Sequence, residues 1–270
     1  MDGFMLEIIR PGASAAEAKV ALFDFDGTLS LIRTGWMKVM VPMMVEELVE
    51  LRTGESEADL QRAVEDFVWR LTGKETIYQM IALAEEIQRR GGVPHDPKVY
   101  KTRYLDRLWS VIRDRIGELR AAGDADRYLV PGARALLESL QMRGLQLYLA
   151  SGTDEEFVQE EAHLLNIARY FDGGIFGARD DCPSWAKRTV IERILELPGV
   201  DGLHLLGFGD GYVEIEEVKR VGGVAVGVAT DEPLCREPDQ WKRRRLIGVG
   251  ADYIIPNFLC RGELLQTLFS

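Results

Sequence analysis

Two aspartates separated by one residue follow a short apolar run near the start of the chain. The run Val20–Phe23 has the length and composition of a buried strand, and Asp24 and Asp26 come directly after it, before Gly27. Two carboxylates at the end of a buried strand repel each other and lose hydration, which is costly unless a cation or a reaction makes use of them. An Asp-Gly turn is the simpler interpretation. Open α/β sheets bind ligands beyond the carboxyl ends of their strands, so this stretch predicts an active site.

Further polar residues occupy similar places later in the chain. Ser151 and Gly152 follow a second apolar run, and Lys187 lies at the start of an amphipathic helix. Asp210 follows another apolar run, and Glu214 lies four residues later, where the two side chains would share one face of a helix. Because the carboxyl ends of parallel strands meet at one edge of a sheet, we expect these side chains to converge on the first two aspartates.

Each of these residues also has an ordinary structural interpretation. Ser151 is suited to a turn before a helix, and most lysines, including Lys187 and its rival neighbour Arg188, are solvated surface charges. The basic run at residues 242–245, which begins with Lys242, indicates a solvated helix face rather than a nucleic-acid site. The register of Ser151 with Asp24 favours phosphate binding for Ser151, while the choice of Lys187 over Arg188 rests on the family resemblance described next.

The sequence Asp24-Phe25-Asp26-Gly27-Thr28 resembles the first motif of the haloacid dehalogenase superfamily, whose phosphatases carry it. In that family a serine or threonine, a lysine and an aspartate follow in this order, and Ser151, Lys187 and Asp210 match them here. The matching stretch runs from Asp24 to Glu214. The spacing most resembles the branch that contains phosphoglycolate phosphatase and β-phosphoglucomutase. The resemblance covers most of the expected core.

The resemblance implies a role for each acidic residue. Asp24 would be the nucleophile that forms an aspartyl-phosphate, and Asp26 would protonate the leaving oxygen and then activate water. Asp24, Asp210 and Glu214 would hold Mg²⁺, together with the backbone carbonyl of Asp26. Glu214 stands where the family more commonly has aspartate, which leaves open whether it binds the ion directly or through water.

The resemblance also implies a set of phosphate-binding residues. Ser151 and Gly152 would hold phosphoryl oxygens through a hydroxyl and backbone N–H groups, and the N–H groups of Gly27 and Thr28 would share the same charge. Lys187 would offset the charge of the nucleophile and of the phosphoryl group. A small phosphorylated metabolite is therefore the expected partner.

These roles imply Mg²⁺-dependent hydrolysis of a small phosphomonoester, such as a sugar phosphate or a phosphoglycolate-like metabolite, through an aspartyl-phosphate. A sugar phosphomutase of the β-phosphoglucomutase type would use the same residues, and the sequence does not decide between the two. A non-catalytic binding module on the same fold is a third alternative. The intact set of polar residues argues against it.

The elements that position these residues form two kinds of segment. Beyond residue 127, apolar runs alternate with helical patterns, which predicts a parallel sheet with helices on both faces. The resemblance makes this a Rossmann-like core of residues 1–30 and 128–270. Residues 31–127 show helical periodicity without strands, and they predict an inserted α-helical cap that closes over the site as a lid.

Local signals refine these elements. Arg33, Trp36 and Lys38 lie where the cap begins, and we expect them to contact substrate. Thr34 is predicted to cap the first helix of the cap, and Pro131 to lie in the first turn of a core helix. A strand over residues 145–150 and a helix over residues 184–195 are predicted from their apolar patterns.

Composition limits the partners. The 270 residues carry a formal net charge of −11, which argues against binding to nucleic acid or to anionic membranes. The N-terminus lacks the pattern of a signal peptide, and no apolar run is as long as a membrane span. Three cysteines far apart are consistent with a reducing compartment, so we expect a cytoplasmic protein. The oligomeric state is left open.

Overall fold

The computed structural model describes residues 6–121, 123–179 and 187–270, and the strands of this part of the chain form one sheet. They are β1 (Glu7–Ile8), β2 (Val20–Phe23), β3 (Gln146–Asp154), β4 (Gly174–Ala178), β5 (Leu205–Gly209), β6 (Val224–Val228) and β7 (Tyr253–Ile255). Their order across the sheet is β1-β7-β6-β5-β2-β3-β4. Every neighbouring pair is parallel except β1 with β7, which is antiparallel. The α/β class predicted from the sequence is confirmed.

Strand β2 lies between β3 and β5 and ends at the first aspartate. All of its residues are buried, as are those of β5 and β6, which is expected where helices cover both faces of a parallel sheet. Phe23 pairs in register with Leu149 of β3 and with Phe208 of β5. Its ring stacks on that of Phe208, with 4.5 Å between centroids. This alignment brings the residues that follow the three strands to one edge of the sheet.

Ten helices connect or flank the strands in the described part of the chain. The first four separate β2 from β3: α1 (Met37–Val49), α2 (Glu57–Leu71), α3 (Thr76–Arg89) and α4 (Pro97–Arg120). The other six are α5 (Ala133–Met142), α6 (Glu155–Leu164), α7 (Lys187–Leu195), α8 (Tyr212–Arg220), α9 (Gln240–Gly248) and α10 (Arg261–Leu268). None of those in the described residues is both long enough and apolar enough to cross a membrane.

The chain divides into two compact units, one of residues Met1–Thr34 and Ile116–Ser270 and the other of residues Gly35–Arg115. The second unit is helical, and its buried apolar side chains include Leu48 of α1, Val64 of α2 and Leu83 of α3. The predicted division into a core of residues 1–30 and 128–270 and a cap of residues 31–127 stays a prediction.

Two predicted helix starts are wrong. Helix α1 begins at Met37, and its N-cap residue is Trp36, which makes no side-chain cap. Thr34 lies two residues before the cap position, and its hydroxyl donates a hydrogen bond to the carboxylate of Glu232 at 2.8 Å. Helix α5 begins at Ala133, so Pro131 lies before its first turn rather than in it. A left-handed Gly132 separates the two, and no sequence pattern distinguished this turn from a helix start.

Strand β3 is longer than predicted, and this changes the surroundings of two predicted site residues. It continues beyond an irregularity to Asp154, which pairs with Ala178 of β4. Ser151 and Gly152 therefore lie within the strand instead of in a turn after it. The short β1 and the helix α10 were not predicted. Of the predicted helix over residues 184–195, residues 184–186 lie outside the described residues.

Candidate active site

Asp24 is buried at the end of β2, with 6% of its surface exposed. Its Oδ1 accepts a hydrogen bond from Nζ of Lys187 at 2.6 Å, and its Oδ2 accepts one from the hydroxyl of Thr28 at 3.4 Å. Lys187 is the first residue of α7 and is also buried. A contact this short between charged groups is a strong, charge-assisted hydrogen bond that fixes the Asp24 carboxylate.

Two more carboxylates join Asp24 in one cluster. Asp210 follows β5, and Glu214 lies in the first turn of α8. Each of the three residues offers one carboxylate oxygen, and these oxygens lie within 4.8 Å of one another. Lys187 donates to Oε2 of Glu214 at 2.7 Å, and the N–H of Gly211 donates to Oε1 of Glu214 at 2.7 Å. The structure therefore brings together four residues that the sequence placed at separate strand and helix ends.

The protonation equilibria in this cluster reflect an excess of negative charge. Burial raises the pKa of Asp24 well above its ordinary value against the opposing effect of Lys187, and Glu214 and Asp210 raise it further. Burial alone would lower the pKa of the Lys187 ammonium, but Asp24 and Glu214 outweigh it and raise that pKa. Lys187 therefore stays charged, and one ammonium does not compensate three neighbouring carboxylates.

The donor set fits a divalent cation that prefers oxygen. Asp24, Asp210 and Glu214 are hard carboxylate ligands without histidine or cysteine among them, as Mg²⁺ sites commonly are. A cation there would favour the ionised form of Asp24 that burial disfavours. The raised pKa of Asp24 and the close approach of the three carboxylates are thus both accounted for by a site of this kind.

Asp26 lies in a different environment only two residues away. Its Oδ2 accepts hydrogen bonds from the hydroxyls of Thr153 at 2.8 Å and Ser151 at 3.2 Å, both in β3. Its Oδ1 is buried without a hydrogen-bond partner among the described residues, and the nearest cation to it is Nε of Arg33 at 3.9 Å. Burial raises the pKa of Asp26, and Arg33, Thr153 and Ser151 oppose the rise. A carboxyl group with a raised pKa is suited to donate a proton.

Arg33 is buried and held by a second carboxylate. Its Nη2 and Nε donate to Oε1 of Glu161 in α6 at 2.7 and 3.1 Å, and its guanidinium lies 5.4 Å from the ring centroid of Phe157. Burial raises the pKa of Glu161 to about 7 against the opposing effect of Arg33. The structure thus places Arg33 beside Asp26, and its predicted contact with substrate stays a prediction.

The other predicted substrate and phosphate residues lie in two parts of the chain. Trp36 and Lys38 belong to the helical unit, at the start of α1, and Lys38 is exposed. Ser151 is buried, with its hydroxyl directed to Asp26, and Gly152 follows it in β3. Phosphate binding by Ser151 and Gly152 and substrate contact by Trp36 and Lys38 stay predictions.

The turn after Asp26 depends on glycine. Gly27 has φ +76°, and a Cβ there would collide with Oδ2 of Asp210 and with Oε1 of Glu232. Its N–H donates to the carbonyl of Ser30 at 2.9 Å, and the N–H of Thr28 donates to that of Phe25 at 3.3 Å. The turn itself uses these two N–H groups in this structure, and the prediction that they share the phosphate charge stays a prediction.

The predicted solvent-exposed position of Lys242 is wrong. The run at residues 242–245 was predicted to be a solvated helix face, but the Lys242 side chain is only 14% exposed. Its Nζ lies 2.8 Å from Oδ2 of Asp210 and 3.0 Å from Oε1 of Glu232. Lys242 belongs to α9, whose sequence shows no apolar stripe, so its burial comes from the approach of two carboxylates from other elements.

Four residues at the site were not predicted from the sequence: Thr153, Glu161, Glu232 and Lys242. Thr153 had the clearest signal, because it stands two residues after Ser151 and a strand places alternate residues on the same side. The other three have no local pattern that separates them from the surface charges around them. Their partners come from distant parts of the chain.

Comparison with known proteins gives a consistent family and fold. A family model described as a haloacid dehalogenase-like hydrolase matches residues 18–222. A 5'-nucleotidase of Pseudomonas aeruginosa is 26% identical over 227 residues, which cover 82% of this chain and 89% of that protein.

Solved structures share the fold at low sequence identity. A predicted phosphoglycolate phosphatase from Haemophilus somnus superposes with a TM-score of 0.60 at 15% identity, covering 93% of this chain and 99% of that one. A putative β-phosphoglucomutase from Thermotoga maritima gives 0.53 at 18% identity, with 92% and 99% covered. At these identities the likeness shows the fold alone.

Proposed function

Because the chain belongs to the haloacid dehalogenase-like hydrolase family, we propose that it is a divalent-metal-dependent phosphatase of small phosphomonoesters. The observation that carries the proposal is the convergence of Asp24, Asp210, Glu214 and Lys187 at the ends of β2 and β5. The family alone includes other hydrolases. Asp26 directs the choice to phosphate esters, because it supplies the proton that an alkoxide leaving group needs.

In the first step the carboxylate of Asp24 attacks phosphorus, and the bond from phosphorus to the ester oxygen breaks. Asp26 gives its proton to that oxygen, so the alcohol leaves neutral. In the second step Asp26 takes a proton from water, whose oxygen attacks phosphorus while the bond from phosphorus to the Asp24 oxygen breaks, so that inorganic phosphate and the free Asp24 carboxylate result. Lys187 holds the Asp24 carboxylate in one orientation throughout, and Ser151 and Gly152 bind phosphoryl oxygens.

A charge count explains why the proposal includes a cation. Asp24, Asp210 and Glu214 contribute −3 and a phosphate dianion −2, against +1 from Lys187, which leaves −4. Like charges in contact repel by about 4 kcal/mol per pair at an effective dielectric constant of 20, so substrate would be excluded. Mg²⁺ held by these three carboxylates and the backbone carbonyl of Asp26 would halve that charge and draw electron density from the phosphoryl oxygens.

The substrate has two candidate classes. Sugar phosphates and phosphoglycolate-like metabolites follow from the branch that the sequence motifs resemble. Nucleoside monophosphates are the second candidate, supported by the similarity to a 5'-nucleotidase over most of both chains. Both classes carry the phosphomonoester that the site would cleave.

A phosphate-release screen tests the proposal. The purified chain is assayed with Mg²⁺ on sugar phosphates, phosphoglycolate and nucleoside monophosphates, with Asp24→Asn as the blank. We expect release from at least one class, loss of release with a chelator, and recovery on adding Mg²⁺. No release from any ester, or equal release by the blank, would overturn the proposal.

Water labelled with ¹⁸O separates hydrolysis from phosphoryl transfer between sugars. A phosphatase incorporates solvent oxygen into the released phosphate, because water attacks the aspartyl-phosphate. A mutase returns the phosphoryl group to a sugar hydroxyl and incorporates none. Labelled phosphate therefore supports hydrolysis. An isomerised sugar phosphate without label would show that the chain is a mutase instead.

A further inference from the structure

Lys242 forms a bridge between a carboxylate of the metal cluster and a carboxylate outside it. Its Nζ contacts Oδ2 of Asp210 at 2.8 Å and Oε1 of Glu232 at 3.0 Å. The three side chains are largely buried, at 14%, 13% and 18% exposure for Lys242, Asp210 and Glu232. Glu232 follows β6 and Lys242 belongs to α9, so two elements that carry no predicted site residue reach the cluster from one side.

The far side of the bridge is anchored as well. Oε2 of Glu232 accepts a hydrogen bond from the hydroxyl of Thr34 at 2.8 Å, while Oε1 faces Lys242. Both Glu232 and Asp210 lie against Gly27, where any Cβ would collide with them. Glu232 is therefore fixed at both oxygens, and it fixes Lys242 in turn.

Charge compensation does not explain this arrangement. Lys242 and Glu232 together add no net charge to the cluster, so they leave its excess of negative charge unchanged. Their effect must come from orientation, because a single ammonium held between two carboxylates restrains the direction of each. Groups that orient a metal ligand through hydrogen bonds typically affect metal affinity 10–100-fold when they are removed.

We propose that Lys242 and Glu232 form a positioning pair that holds Asp210 in the orientation of a metal ligand. The inference rests on the proposed function to the extent that Asp210 binds a divalent cation. Neither residue touches the reacting atoms in this proposal. Lys242 acts through Asp210, and Glu232 acts through Lys242.

The test removes both members of the pair at once. Lys242→Met alone would leave Glu232 as an uncompensated charge that attracts the cation and masks the effect. Lys242→Met combined with Glu232→Gln keeps the net charge constant and removes only the restraint. Mn²⁺ binding is measured without substrate, by electron paramagnetic resonance of the free ion. We expect the dissociation constant to rise roughly 10–100-fold.

A matched control exists elsewhere in the same unit. Lys219 of α8 contacts the buried Asp252 at 2.8 Å, and its side chain is 16% exposed, close to the value for Lys242. Lys219→Met breaks a comparable pair away from the cluster. We expect it to lower the unfolding temperature but to leave the Mn²⁺ dissociation constant within about twofold of the wild type. If Lys219→Met weakened Mn²⁺ binding as much as the double variant does, the effect of the bridge would come from general stability, and the proposal would be wrong.

Lys242→Arg keeps the inference testable if the double variant does not fold. It preserves the charge but replaces a point ammonium by a planar guanidinium, so it changes the geometry at Asp210. We expect a dissociation constant between those of the wild type and a fully disrupted bridge. Unchanged Mn²⁺ binding in a folded double variant, or in Lys242→Arg, overturns the proposal. Because no substrate is present, a failed phosphatase screen does not affect this readout, and a failed bridge does not affect the screen.

Discussion

Asp24 and Asp26 leave the same strand end, but their surroundings compensate charge in different ways. In the described residues, the Asp24 cluster and the ion pairs attached to it contain four carboxylates and two ammonium groups, a net charge of −2; Glu232 belongs to this set through Lys242, which contacts Asp210. Around Asp26 the described residues contribute two carboxylates, its own and that of Glu161, and the guanidinium of Arg33, a net charge of −1. A divalent cation would neutralise the net charge of −2 around Asp24, and a single proton would neutralise the net charge of −1 around Asp26.

This difference supports the two proposed roles without reference to the order of the motif. A divalent cation bound by the cluster, together with Lys187, would keep the Asp24 carboxylate ionised, as a nucleophile must be. Burial raises the pKa of Asp26, and the two hydroxyl donors and the guanidinium that it shares with Glu161 only oppose that rise, so this carboxyl group can retain a proton, as a general acid must. Substitutions at Asp24 and at Asp26 test the two environments separately.

The largest expected effect is on Asp24. Asp24→Asn removes the attacking oxygen, and we expect kcat/KM for the best ester in the screen to fall by at least about 10³-fold. The same change removes one of the mutually repelling buried carboxylates. The metal-free unfolding temperature should therefore not fall, which circular dichroism during heating would measure. A large loss of stability would show that the inactive variant reports folding rather than chemistry.

Asp26→Asn tests the proposed role of Asp26 as proton donor, by comparing esters whose leaving groups differ in their need for a proton. Loss of a general acid typically costs roughly 10²–10⁴-fold, and we expect a loss of this size for alkyl phosphates. With 4-nitrophenyl phosphate the loss should be much smaller in the step that forms the aspartyl-phosphate, because 4-nitrophenolate leaves without a proton. Burst kinetics would measure that step. Equal losses on both esters would contradict the assignment of Asp26 as the proton donor.

Sequence alone predicts the half of the site around Asp24 better than the half around Asp26. Asp24, Lys187, Asp210 and Glu214 follow apolar runs or begin amphipathic helices, so their convergence follows from the parallel sheet. Their expected proximity is what the structure shows. Local patterns are sufficient here because the site residues are attached to strand ends and helix starts.

The surroundings that tune these residues were not predictable in the same way. Glu161 contacts Arg33 from 128 positions away in the chain. Lys242 lies in a polar helix whose buried residue is Leu246, so periodicity gave no sign of its burial. The register of β3 was also missed, because a strand irregularity is not encoded by alternation and extends the strand past Ser151. Tertiary contact, not local pattern, creates each of these features.

Glu161, which shares Arg33 with Asp26, allows the surroundings of Asp26 to be tested through the pH dependence of protein stability. Burial raises the pKa of Glu161 to about 7 in the folded protein, from an ordinary value of 4.5. The folded state therefore binds more protons between pH 4.5 and 7, and the contribution of this group to the free energy of unfolding falls as pH rises through that window. The fall amounts to between about 3 and 4 kcal/mol at most, since the difference of about 2.5 pKa units (7 − 4.5) corresponds to about 1.4 kcal/mol per unit.

Glu161→Gln should remove this pH dependence. Relative to the wild type, we expect the variant to become more stable as pH rises from 5 to 7, measured by urea unfolding at both values. The control is Glu160→Gln, the neighbouring exposed residue that pairs with Arg120. That variant should show no such trend. The same pH trend in both variants would mean that the effect does not come from the buried Arg33–Glu161 pair.

The smallest expected effect concerns Thr153, whose hydroxyl donates to Oδ2 of Asp26 at 2.8 Å. Thr153→Val keeps the shape of the side chain but removes a donor that stabilises the ionised carboxylate, so the pKa of Asp26 should rise. The alkaline limb of the pH profile of kcat/KM should then move upward by roughly half a unit to one unit, since one hydrogen bond is worth about 1 kcal/mol.

Thr230→Val is the matched control for that shift. Thr230 is also buried, but its hydroxyl has no hydrogen-bond partner among the described residues, so the change to valine should leave the profile where it is. Burial and Arg33 affect the pKa of Asp26 more than the Thr153 hydroxyl does, so the shift caused by Thr153→Val must stay small. A shift of two units or more would mean that the hydroxyls of β3, rather than the shared guanidinium, decide when Asp26 gives up its proton.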